Sequence, residues 1–233
     1  MFIGHFGLAF AAKKVSRRGL LGTYIIAAQF LDLLWPMLLI RDIEHVTIEP
    51  GNTAFTPLNF TYYPYSHSLL FALIWSIAFG LFYFLLTKDR KTSVLIAALV
   101  VSHWVLDFFT HRPDLPLSPS SNEKFGLGLW NYPAATMIIE VIMFLGGAAL
   151  YFSATRAKNL TGKLSLWAFI IFMLAVYFMN AFGPPPHSVH SIALLGLTQL
   201  VLVAWGYWIG SNREPADEIS LARTPPQNRN KVY

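Results

Sequence analysis

Six apolar stretches, at about 19–40, 66–87, 92–111, 133–155, 163–182 and 188–210, constrain this 233-residue chain more than any other feature. Each is close to the ~20 residues that a helix rising ~1.5 Å per residue needs to cross a ~30 Å hydrocarbon core. They predict an all-α fold, a polytopic membrane helical bundle of about six transmembrane helices. Composition agrees: 55% of the residues are hydrophobic and 12% charged, a charged share about half that of a soluble domain. A shorter apolar stretch, Met1–Ala12, precedes Lys13, Lys14, Arg17 and Arg18, whereas a signal peptide carries its charges first. Too short to span straight, it is expected to form a half-membrane or interfacial helix. The chain then divides into one integral-membrane domain, residues 1–210, and a disordered tail, 211–233, poor in apolar residues.

The net charge of +5 does not point to nucleic acid, because the Lys and Arg residues cluster between apolar runs and form no stripe along one element. Assigned alternately to two sides of the membrane, they divide fourteen against three, only Arg41, Arg112 and Lys124 falling on the poorer side. The positive-inside rule places the richer side, with the C-terminus, in the cytoplasm and turns loops 41–65 and 112–132 outward. Trp35-Pro36, Tyr62-Tyr63-Pro64-Tyr65 and Trp130-Asn131-Tyr132-Pro133 read as an interfacial aromatic belt with helix-starting prolines. With no cysteine in the chain, disulfides and thiolate zinc sites are excluded, and a metal would be held by His, Asp or Glu.

Ionisable side chains within a span cost roughly 2.5–3.5 kcal/mol each at mid-helix, so they are functional candidates by default. Here they are Asp32, His103, Asp107 and Glu140, with His67 and His111 at span ends and His5 in the short N-terminal segment. His103, Asp107 and His111 follow one another at i, i+4 and i+8, which keeps them along one helix face and gives neighbouring pairs the spacing of a helical metal site. A structural reading competes: Asp107 accepts hydrogen bonds from a His and the remainder joins helices. Counted from the basic clusters, Asp32, His103 and Asp107 lie at about 21, 18 and 24 Å, nearly one level, with His67 and His111 near the outer rim and Glu140 about 10 Å below it. His5, about 12 Å above Lys13, fits that level less well. Gln29, Asn180 and Gln199 are expected to hydrogen-bond between helices, and His187 and His190 to cap a helix start.

Gly4-His5, Leu31-Asp32, Ser66-His67-Ser68-Leu69-Leu70 and Ser102-His103-Trp104-Val105-Leu106-Asp107, running on to Pro113-Asp114-Leu115-Pro116-Leu117, occur in an order that resembles the membrane-bound metal-dependent hydrolases. These are also described as LexA-binding, inner-membrane-associated hydrolases. The resemblance covers roughly residues 1–117 and implies a bacterial inner-membrane protein with His5, Asp32, His67, His103 and Asp107 as ligands to a divalent metal. The chain departs from the family pattern in two places. Leu34 and Trp35 stand where the family has a second Asp and a His, and Tyr63-Pro64-Tyr65 stands where it has an Arg-containing His motif. His111 and Glu140 are the candidates to compensate. LexA binding does not carry over, because no motif here maps to it.

Two functions follow from these residues. The first is a membrane-embedded metal-dependent hydrolase acting on a lipid or lipid-linked (phospho)ester. Its metal would be zinc, with manganese or iron as alternatives, and Glu140 or Asp32 would be the general base. The second is a proton- or cation-coupled transporter using the same Asp, His and Glu groups; the chain shows no paired half-repeat with broken helices in matching positions. A scaffold whose polar groups only join helices is the remaining reading.

Overall fold

The structure is a computed structural model that describes residues 1–216. In hydrocarbon every backbone N–H and C=O needs an internal partner, and the long apolar stretches meet that demand as helices. After α1 (Ile3–Val15) the chain runs through α2 (Leu21–Ile40), the single turn α3 (Pro64–His67), α4 (Leu69–Thr87), α5 (Arg90–Thr110), α6 (Pro133–Ala154) and α7 (Leu160–Phe182). The sixth span is divided into α8 (Val189–Leu197) and α9 (Gln199–Ser211). All six spans are long and apolar enough to cross a membrane, with limits within three residues of those expected.

Short polar side chains set the starts. Ser68, Asp89, Asn159 and Ser188 accept N–H bonds from the first turns of α4, α5, α7 and α8. Ser188 therefore caps α8, the place expected for His187 or His190. Pro64 and Pro133 begin α3 and α6 as expected, but Pro36 lies inside α2 and starts nothing. The aromatic belt also divides: Tyr132 is exposed, whereas Trp35, Tyr63 and Trp130 are buried.

The N-terminal segment departs most from expectation. An interfacial helix would expose one face, yet α1 buries Ile3, Phe6, Ala9 and Phe10 completely and packs against α6, α2 and α5. It is a short helix inside the bundle. Close approach to α6 depends on two glycines: a Cβ on Gly7 would stand 2.5 Å from the Met143 carbonyl oxygen, and one on Gly147 would overlap the Gly7 carbonyl. Small residues let helices meet backbone to backbone in lipid, where no hydrophobic force drives them together.

Both long loops fold at one end of the bundle. Strands β1 (His45–Ile48) and β2 (Leu58–Tyr62) form an antiparallel hairpin, and β3 (Leu115–Pro116) pairs with β4 (Lys124–Phe125). Arg112 donates to Asn59 Oδ1 at 2.5 Å, Lys124 to the Thr61 carbonyl at 3.2 Å and Leu70 N–H to the Leu117 carbonyl at 2.9 Å, so the loops cap the site jointly. At the opposite, basic end β5 (Thr155–Ala157) pairs with β6 (Arg213–Pro215). Residues 211–216, expected in a disordered tail, are thus packed: Arg213 is buried, donating to Thr155 Oγ1, the Thr155 carbonyl and the Gly162 carbonyl at 2.9, 3.2 and 3.0 Å. The rest of that tail, 217–233, lies outside the described residues.

Candidate metal centre

The five ligands that the resemblance implies arrive on four elements. Helix α1 brings His5, α2 brings Asp32, the turn α3 brings His67, and α5 brings His103 and Asp107 one helical turn apart. His5, His67, His103 and Asp107 are buried, and Asp32 is partly open. His103 Nε2 lies 3.2 Å from Asp107 Oδ2 and 3.7 Å from Asp32 Oδ1; His67 Nε2 lies 3.4 Å from Asp32 Oδ1 and 3.7 Å from Asp107 Oδ2. Two imidazole nitrogens and two carboxylate oxygens thus alternate around one point. A tetrahedral ion with bonds of about 2.0–2.2 Å separates its donors by about 3.3–3.6 Å, and these four nitrogen–oxygen separations lie near that range.

The histidines are turned the right way for it. His103 Nδ1 is 2.7 Å from the Ala28 carbonyl, which can only accept. Nδ1 therefore carries a proton, and Nε2 faces the carboxylates, placed either to donate to them or, as the neutral ring, to bind a metal. His67 is set by a relay that begins in the 41–63 loop. Glu44 accepts the Tyr65 and Ser66 N–H groups at 2.7 and 2.8 Å and the Ser66 hydroxyl at 2.5 Å; Ser66 Oγ in turn lies 2.7 Å from His67 Nδ1. A hydroxyl has one proton to give, and Glu44 takes it, so His67 donates from Nδ1 and its Nε2 is free as a ligand. Burial pushes the Glu44 carboxyl above its ordinary range, against the bonds from Ser66 and Tyr65 that pull it down. Sequence reasoning missed Glu44: it lies in a loop with no periodicity, and only its burial at 1% exposure distinguishes it.

His5 extends the cluster. Its Nε2 is 3.1 Å from Asp107 Oδ1, and its ring stacks on His103 at 3.7 Å between centroids. The depth count that set it apart took Lys13, in the last turn of α1, as level with the basic surface, whereas Lys13 is buried and α1 lies inside the bundle. Among the described residues two groups of three have ligand atoms close enough to share an ion, His5–His103–Asp107 and Asp32–His67–His103. The Met1 amino nitrogen also reaches Asp107 Oδ1, at 2.5 Å.

His111 and Glu140 are placed otherwise. Helix α5 ends at Thr110, so His111 leaves the i+8 register with an extended backbone. Its Nδ1 bonds Asp114 Oδ1 at 2.9 Å, Tyr63 donates to the same oxygen at 2.7 Å, and its ring packs against Trp130. The structure does not bring it into either group. Glu140 Oε2 accepts the Phe2 and Gly4 N–H groups at 2.7 and 3.2 Å, while Oε1 is buried without a partner in the protein. Both residues line a cavity of about 590 Å³ that also borders Asp32, His67 and Asp107. Gln29 and Gln199, expected to join helices, instead bury amide atoms with no partner.

No curated protein and no solved structure matches the chain. A family model does: the YdjM inner membrane protein model matches residues 3–183, which include α1, every residue of the cluster and five of the six spans. This is a multi-pass membrane protein, and the chain belongs to the YdjM inner membrane protein family.

Proposed function

We propose that this protein is a membrane-embedded metal-dependent hydrolase acting on a lipid or lipid-linked ester or phosphoester. The observation that carries the reading is the alternating set His67 Nε2, Asp32 Oδ1, His103 Nε2 and Asp107 Oδ2, with four separations of 3.2–3.7 Å. Both imidazoles are held at Nδ1 by an outer partner with Nε2 turned to the carboxylates, the arrangement that orients metal-ligating histidines. Two nitrogens and two carboxylate oxygens suit zinc best, with manganese or iron as alternatives.

A divalent ion held by three of these four groups, with the remaining position left to water, would supply an acidified water and polarise an ester or phosphoryl oxygen. The chain supplies the rest. Glu140, held through Oε2 by two backbone N–H groups, borders the cavity and keeps Oε1 without a partner in the protein, and is the candidate proton acceptor. Asp32, the most open member of the ligand set, borders the same space, and the apolar walls keep bulk water from competing. The charge asymmetry supports a cytoplasmic basic end, which turns the site toward the outer half of the membrane.

The test is elemental analysis of the detergent-purified protein beside Asp107→Ala, with elution profile as the folding control. Zinc, manganese or iron in the parent and its loss from a well-folded variant supports the reading. If neither holds metal after incubation with each ion, the hydrolase reading fails.

A further inference from the structure

The cavity beside the ligand set is asymmetric in a way that specifies its occupant. One end is bordered by Asp32, His67, Asp107 and Glu140; the other runs between α7, through Phe172 and Val176, and the last span, through Ile192, Leu195, Val201 and Leu202. Leu195 and Val201 are 65% and 66% exposed and also line the cavity. The same side chains therefore form the inner wall and the lipid-facing surface, and the cavity opens sideways. The lining continues past Thr198, where α8 gives way to α9 and whose hydroxyl turns back to the Leu195 carbonyl at 2.6 Å.

Trp35 follows Asp32 by three residues in α2, and the Trp130 ring packs against His111. Each tryptophan is 8% exposed and lines the cavity, and each indole N–H is buried without a partner in the protein. An unpaired buried donor is costly, and two beside a polar cluster fit a ligand that carries acceptor oxygens there. Ester or phosphoryl oxygens meet that need, with a hydrocarbon chain to fill the lateral part. A transmembrane helix from a second copy does not fit, because at a diameter of about 10 Å only about one and a half turns of it would occupy this volume.

We propose that the cavity binds a bilayer acyl lipid, its chain between α7 and α8–α9 and its ester or phosphoryl oxygens on the indole N–H groups of Trp35 and Trp130. The inference deepens the hydrolase reading by naming the substrate class, and rests on it for the chemistry but not for the binding.

The experiment uses the full chain in liposomes containing phosphatidylglycerol with a photoactivatable diazirine on its acyl chain, and maps the adducts by mass spectrometry. A parallel set of liposomes carries a diazirine-bearing polyprenyl phosphate. Adducts concentrated at Phe172, Leu195 and Val201, above those at Ile77 and Leu86 of α4, which are as exposed as Leu195 and Val201, and lost in Leu195→Trp, support the proposal. Leu195 faces lipid, so that substitution narrows the mouth without entering the core. Trp35→Phe and Trp130→Phe keep the rings and remove the donors, and each should weaken competition by unlabelled lipid about threefold to tenfold. Adducts spread evenly over all lipid-facing helices, or unchanged in Leu195→Trp, overturn it, and enrichment with polyprenyl phosphate alone overturns the acyl assignment. Asp107→Asn separates the two readings, since it should lose metal yet keep the adduct pattern.

Discussion

The relay from Glu44 through Ser66 to His67 can be cut by removing one oxygen atom. In Ser66→Ala, His67 Nδ1–H and Glu44 Oε2 both lose their 2.7 and 2.5 Å partner, while Glu44 keeps the Tyr65 and Ser66 backbone N–H groups. The carboxylate therefore stays anchored, and the damage falls on the imidazole, which is free to rotate or to carry its proton on Nε2. Losing such an outer partner weakens metal binding about 10- to 100-fold, equivalent to about 1.4–2.8 kcal/mol. The assay is zinc competition against a chromophoric chelator on the purified protein, together with the cobalt absorption spectrum, which reports the coordination of the site. Ser66→Thr keeps the hydroxyl and should recover most of the affinity. A Ser66→Ala protein binding zinc as tightly as the parent, or a Ser66→Thr protein as weak as Ser66→Ala, refutes the assignment of His67 as a relay-held ligand.

Glu140→Gln should keep its metal by elemental analysis and lose about 10²- to 10⁴-fold in turnover of a lipid ester, the range for removing a general base. Gly147→Leu should drive α1 and α6 apart and lower stability by at least about 1–3 kcal/mol in a thermal melt, whereas Gly146→Leu should not, since a side chain there meets nothing within 4 Å. The raised pKa of Glu44 fixes a sign: the folded state binds its proton at higher pH than the unfolded chain does. The parent should therefore gain stability over Glu44→Gln as pH falls from the raised value toward the ordinary carboxylate range. A difference in melting temperature that runs the other way with pH would contradict the burial of that carboxyl.

What the sequence made legible follows from what lipid forbids. The spans could be read because length and hydropathy are demanded of each segment separately, and Asp32, His103 and Asp107 because a carboxylate or imidazole in a span needs a reason. Position along the chain was a poorer guide wherever several elements meet. Glu44 carries no signal of its own; it matters only because the 41–63 loop folds back onto α3. His111 looked like a third member of a helical row, although Pro113 disfavours helical backbone at Arg112 and α5 stops at Thr110. The break at Thr198–Gln199 has neither Gly nor Pro at its centre, so the division of the last span could not be foreseen. Burial of α1 was equally hidden, because Gly7 and Gly147 acquire meaning only when seen to face each other.

The positions where this chain departs from the metal-dependent hydrolase pattern bear on how many ions it holds. Trp35 belongs to the cavity wall, and Tyr63 gives its hydroxyl proton to Asp114 at 2.7 Å, an oxygen that His111 shares. Neither Trp35 nor the Tyr63–Asp114–His111 set enters a ligand group, whereas Asp32, His67 and His103 form one group of three and His5, His103 and Asp107 another; three protein ligands leave the fourth tetrahedral position for water. A second ion about 3.5–4 Å away would have to draw on Asp107 Oδ1, His5 and the single free oxygen of Glu140, since Glu140 Oε2 is already taken by Phe2 and Gly4. That is a thin set, because His103 belongs to both groups and has only Nε2 to give, its Nδ1 being bonded to the Ala28 carbonyl. The proposed centre should accordingly hold one equivalent of metal per chain. His5→Ala should leave that equivalent in place and Asp107→Ala should remove it, both read by elemental analysis against protein concentration. Two equivalents in the parent, falling to one in His5→Ala, would show that the thin set binds an ion after all and would return the site to a two-metal design.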